Sequence, residues 1–172
     1  MTLYPDLENK IVLVTGSGSG IGKAQALRFA AEKSQVLVND IDPEAAKQTC
    51  AEANANGFSA IPVPADVSNS EDVDQMFNQI ESELGEVQIL VNNAGLVSPM
   101  LHFFEADETW WRRIIDVNLT GHFLCAHRAA RPMARSGEGV IINTSSGGAT
   151  RAHRSFTHTT PQKAGSKLLP EL

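Results

Sequence analysis

A short β-branched run, Lys10 to Thr15 (KIVLVT), breaks into the stretch Gly16 to Gly22 (GSGSGIG) and passes directly into a segment of helical character, Ile21 to Glu32. This junction restricts the fold more than any other feature of the chain. A run such as KIVLVT makes a strand buried on both faces, and the glycines allow a reversal too tight for side chains. The helix that follows presents its first N–H groups and the positive end of its dipole at the turn, where a phosphate can be held. One glycine makes the turn, and another lets a pyrophosphate reach the backbone with no Cβ in the way. The junction therefore predicts a dinucleotide lying against Gly16, Ser19, Gly20, Ile21 and Gly22, with a flexible surface turn as the plainer alternative.

The same alternation continues along the chain. Gln35 to Asp40 (QVLVND) reads as a second buried strand, Pro43 to Asn56 as a helix opening on proline, and Ser59 to Val63 as a third strand. Ser70 stands as an N-cap before a helix whose apolar face is Val73, Met76, Phe77, Ile80 and Leu84. Ile89 to Val91 makes a fourth strand, Glu108 to about Ala134 a long helix, and Gly139 to Asn143 a fifth strand. Strands joined through helices pair in parallel, with helices on both faces of the sheet. The expectation is an α/β fold with a doubly wound parallel sheet. Trp110 and Trp111 are read as packing or helix-interface residues.

The chain has 172 residues, 42% of them apolar, which is enough for one domain with a sizeable core. A net charge of −6 offers no basic surface for nucleic acid. No apolar run is long enough for a membrane span, and the N-terminus has no signal-peptide pattern, so the expected location is cytoplasmic. Cys50 and Cys125 lack metal-like spacing and are expected to be buried thiols. Asp40, at the end of the second strand, can accept hydrogen bonds from both hydroxyls of an adenine ribose and repel a 2′-phosphate, which favours NAD over NADP. A plain helix N-cap is the alternative role, and Asp42 could also fill it.

The glycines are spaced G-x-x-x-G-x-G (Gly16, Gly20, Gly22), and the fourth strand runs into Asn92-Asn93-Ala94-Gly95. With Asp66-Val67, Asn118 and Asn143-Thr144-Ser145-Ser146 in the same order, the chain from Lys10 to Ser146 resembles the classical short-chain dehydrogenase/reductase family, a Rossmann-type fold. The resemblance implies that Asp66 and Val67 contact the adenine, and that Asn93, Ala94 and Gly95 line the cofactor and steady the sheet. Asn118 would hold a water of a proton relay through its backbone, and Ser146, or its neighbour Ser145, would hydrogen-bond the substrate oxygen. The implied reaction is hydride transfer between the nicotinamide and a secondary alcohol or ketone. A homo-oligomer is implied for an intact member.

The family pattern places Tyr-x-x-x-Lys thirteen residues after the serine, a tyrosine that moves the proton and a lysine that lowers its pKa. Counting from Ser146 gives Thr159, followed by Lys163, and the only tyrosine of the chain is Tyr4. A threonine hydroxyl is too weak an acid to replace a phenol, and His158 is a remote substitute. The tail also sets Pro161 and Pro170 where the family runs a helix. A codon assignment for residues 159–172 exists in which one inserted T yields Tyr-Asp-Ala-Thr-Lys-Gly-Gly-Ile-Glu-Ala-Leu-Thr-Arg-Ala, restoring the motif. The expectation is therefore a single-base deletion after His158. Residues 1–158 would form an incomplete dinucleotide-binding domain and 159–172 a tail outside the family pattern. Two further strands implied by the family would be missing, the fifth strand would be an open edge, and the chain would be poorly soluble, inactive and doubtful as an oligomer.

Overall fold

The computed structural model describes residues 4–97, 101–102 and 104–146. The expectations for His158, Thr159, Lys163 and the shifted reading frame lie outside these residues. Each of the five runs read as strands becomes one: β1 Ile11–Val14, β2 Gln35–Val38, β3 Ser59–Pro62, β4 Ile89–Asn92 and β5 Val140–Asn143. All pair in parallel, in the order β3-β2-β1-β4-β5. The first three strands build outward from β1, and β4 then returns to its other side. The carboxyl ends of β1 and β4 thus flank the point where the winding reverses, the place where open α/β sheets leave a crevice. The doubly wound, Rossmann-type fold is the one the sequence predicts.

Side chains alternate across the sheet with a period of two. Leu13, Leu37 and Leu90 face one layer, where they meet Val73, Met76, Phe77 and Ile80 of α3 (Ser70–Glu83) and Cys125, Ala129 and Met133 of α5 (Gly121–Ser136). Val12, Val14, Val36, Val38 and Val91 face the other, against Ala26 and Ala30 of α1 (Gly20–Ala31) and Ala46, Cys50 and Ala53 of α2 (Pro43–Ala55). The small alanines bring α1 and α2 close to the sheet. Complete burial of a side chain such as Leu13 or Phe77 contributes roughly 1.5–3 kcal/mol. Both cysteines are free and buried, as expected. Burial alone raises the thiol pKa of Cys50 to about 11 and of Cys125 to about 12.

Two local expectations change. The N-cap of α3 is Asn69, not Ser70: its side-chain oxygen accepts from the N–H groups of Glu71 and Asp72. The long helix is not continuous. α4 (Glu108–Ile115) and α5 are separated by a π-helical turn, Asp116–Thr120. The buried side of this turn and of early α5 is Asn118, Gly121, His122, Cys125 and Ala126, while Phe123 and Trp111 are exposed. Pro132 lies inside α5, so proline by itself does not end a helix in this chain. β5 is the outermost strand among the described residues, the edge position the sequence predicts, and its Val140 and Ile142 are exposed.

Candidate functional site

The crevice at the β1–β4 switch point is built around Thr15 and the turn that follows it. Thr15 is buried, and its hydroxyl oxygen accepts from the backbone N–H groups of Asn93 and Ala94, each at 3.0 Å. The Asn93 side chain answers by donating to the carbonyls of Thr15 (3.0 Å) and Gly16 (3.1 Å). The two strand ends are thereby laced together through a threonine and an asparagine.

Gly16 takes a left-handed backbone, φ 61°, and passes directly over Ala94, where a Cβ would stand 2.7 Å from the alanine Cα. A side chain at Gly22 would meet the Gly16 carbonyl oxygen at 2.2 Å, so only glycine lets the first turn of α1 tuck under the loop. Ser19 is the N-cap of α1 in an extended conformation and makes no side-chain capping bond. The N-cap side chain thus leaves the first N–H groups of the helix uncapped, beside open space at Gly20 and the exposed side chain of Ile21. These residues form a cradle with the shape and polarity a pyrophosphate requires. The fit follows from the chain itself.

Asp40 and Asp42, both admissible as the helix cap, have separate roles. Asp42 is the N-cap of α2, accepting from Glu44 and Ala45. Asp40 is turned back to the glycine loop: one carboxylate oxygen accepts from the Gly18 N–H at 2.9 Å and the other from the Asp42 N–H at 3.1 Å. Thr49 of α2 donates to the Gly18 carbonyl at 3.1 Å, so Gly18 is held on both sides. Beyond β3, the Asp66 carboxylate accepts from the N–H and the hydroxyl of Ser68 (2.9 and 2.6 Å), and buried Val67 packs close to Gly121 of α5.

Asn118 is fully buried in the π-turn, and its amide brackets Leu96, accepting from its N–H at 2.6 Å and donating to its carbonyl at 2.9 Å. Ser145 and Ser146 follow β5 at the same rim, where the Thr144 N–H donates to the Asn92 carbonyl. Asn118 and the β5 serines thus sit at the rim shared with Asn93, Ala94 and Gly95, whereas Lys163 lies outside the described residues.

Several residues that build this rim gave no signal in the sequence. Asn39, buried at the end of β2, donates to the carbonyls of Val63 and Ala65 and so fixes the chain leading to Asp66. Ser17 donates to the Val14 carbonyl, Gly18 and Thr49 join through the loop, and His122 reaches Ala94. Asn39, Ser17, Thr49 and His122 are common polar residues whose positions follow no characteristic spacing. An apolar groove of about 450 Å³ runs separately along the outer side of α1, lined by Tyr4, Leu7, Ile21, Ala24 and Phe29 among others. No described helix is long and apolar enough to cross a membrane, and the described residues contain no cluster suited to a metal ion.

The sequence model of the short chain dehydrogenase family matches residues 10–169. Glucose 1-dehydrogenase 2 of Bacillus subtilis is 40% identical over 148 residues, which cover 84% of this chain and 57% of that protein. A 3-oxoacyl-(acyl-carrier-protein) reductase of Synechocystis is 40% identical over 141 residues, covering 81% of this chain and 57% of the reductase. The crystal structure of a gluconate 5-dehydrogenase from Burkholderia cenocepacia, in complex with NADP and tartrate, superposes with a TM-score of 0.87 at 30% identity, over 94% of this chain and 63% of that one. The chain thus spans less than two thirds of the length of each of these relatives.

Proposed function

We propose, from the premise that this chain belongs to the short-chain dehydrogenase family, that it binds a nicotinamide dinucleotide at the β1–β4 crevice and prefers NAD to NADP. The observation that carries the proposal is the seating of the glycine turn on Ala94, which leaves the N-terminus of α1 open above it. The α1 N–H groups hold the pyrophosphate. Asp40 faces the adenosine ribose with a carboxylate already fixed by Gly18 and Asp42, so a 2′-phosphate meets a negative charge that is held in place. Asp66 and Val67 flank the adenine, and Asn93, Ala94 and Gly95 form the floor.

When bound, the nicotinamide supplies hydride transfer to or from the carbon of a secondary alcohol or ketone. Ser146 would hydrogen-bond the substrate oxygen, and the backbone at Asn118 would hold a relay water. Lys163 would bind the nicotinamide ribose, but the residue four places before it is Thr159, which cannot take the part of a phenolic acid. The 172-residue chain therefore holds the dinucleotide and turns over little. The shifted reading frame after His158 accounts for the missing tyrosine.

Titration of the purified chain with NADH, followed by fluorescence, checks the binding half. Saturation is expected at concentrations where NADPH gives a much smaller response, and Asp40→Asn should narrow that gap. Equal affinity for the two cofactors would end the NAD preference, and absence of saturation with either would end the binding proposal. For the catalytic half, robust NAD-dependent oxidation of a secondary alcohol would defeat the proposal of inactivity.

A further inference from the structure

We propose that His122 is a positioning residue that sets the floor of the dinucleotide crevice, a role that rests on the binding proposed above. His122 is 1% exposed and lies in the first turn of α5, directly after the π-turn. Its Nε2–H donates to the Ala94 carbonyl at 2.9 Å, and because a carbonyl can only accept, that nitrogen carries the hydrogen. Ala94 is thus held at three points. Its N–H is fixed by the Thr15 hydroxyl, its carbonyl by His122, and its Cα supports Gly16 from below.

The neighbouring contacts make His122 the link between α5 and the crevice. Its own carbonyl accepts from the Asn92 side chain at 3.1 Å, and the same amide donates to Asn143 of β5 at 3.0 Å. Asn118, four residues earlier, grips Leu96, two residues beyond Ala94. Two side chains one helical turn apart therefore fasten alternate residues of the same extended segment. Thr15 binds that segment from the β1 side, and His122 with Asn118 from the α5 side. Removing the imidazole takes away the donor to a buried carbonyl. The Ala94 peptide is then free to tilt, and the Gly16 turn that rests on it loses its height relative to the N-terminus of α1. The consequence reaches the phosphate cradle although His122 is not part of it.

The test compares His122→Leu, His122→Gln and His122→Asn in the full chain. A glutamine amide reaches about as far as imidazole Nε2, whereas an asparagine amide is too short to meet the Ala94 carbonyl. NADH affinity should fall about tenfold in the leucine and asparagine chains and return to within about threefold in the glutamine chain. Amide exchange followed by NMR on the ligand-free chains should rise at Asn93 and Ala94 in the first two and not in the third, with β2 and α2 amides unchanged. A loss of packing alone would instead spread exchange through α5. Wild-type affinity and exchange in His122→Asn, or a glutamine chain as impaired as the asparagine one, would overturn the proposal. Should the leucine chain not fold, the glutamine and asparagine pair decides. Failure of the wild-type chain to bind NADH would overturn the binding proposal alone, and the exchange at Ala94 would still decide whether His122 holds the floor.

Discussion

The carboxyl ends of β1 and β5 open onto the same rim of one parallel sheet, but their surroundings differ. At β1, Thr15 is buried, its hydroxyl serves two backbone N–H groups, and the turn beyond it rests on β4 and is gripped by Asp40 and Thr49. At β5, Val140 and Ile142 are exposed, and among the described residues the strand pairs on one side only, with β4. The end of the crevice proposed to hold the cofactor is framed on both sides by described residues. The end proposed to meet the substrate, at Ser145 and Ser146, shares only its β4 side with that frame.

Substitutions can sharpen this contrast or remove it. The largest effect is expected from Gly22→Val, whose Cβ would collide with the Gly16 carbonyl. NADH binding should weaken beyond about 100-fold, with about 3 kcal/mol lost in urea unfolding. In the shared core, Leu90→Ala on β4 removes a fully buried side chain and should lower stability by about 3 kcal/mol in the same assay. Thr15→Val keeps the shape and deletes the acceptor of two N–H groups, so about 2 kcal/mol is expected, accompanied by weaker NADH binding. The smallest effect belongs to Ile142→Ala, expected within about 0.5 kcal/mol because the side chain already meets solvent. A loss at Ile142 equal to that at Leu90 would mean that β5 is as well covered as β4, and the contrast would fail.

The sheet was legible because four of the five strands are rich in β-branched residues, and because strict alternation with helices admits few topologies. The glycine turn was legible for a related reason: glycine is required where Gly16 and Gly22 bring backbones together, and that requirement leaves a mark in the sequence. What could not be read depends on partners distant along the chain. Nothing local distinguishes Asn69 from Ser70 as the cap of α3, since both residue types cap well. The choice between Asp40 and Asp42 was settled by geometry, with Asp42 at the helix end and Asp40 facing Gly18. His122 and Asn39 are polar residues whose value lies in distant carbonyls. The interruption of the long helix escaped notice because the apolar residues run through it unbroken, while the face that packs is made of small and polar residues.

That interruption is a matter of counting. A π-turn accommodates one residue more than an α-helical turn, and each residue rotates an α-helix by about 100°. Asp116–Thr120 therefore works as a phase shifter between the axis of α4 and everything downstream of it. Deleting one residue there would let the two helices fuse into a more regular rod. It would also swing the following turn of side chains out of step with the extended segment that Asn118 and His122 clasp. In this chain the local irregularity is what brings the helix into register with the sheet, and a more ideal helix would make a poorer crevice.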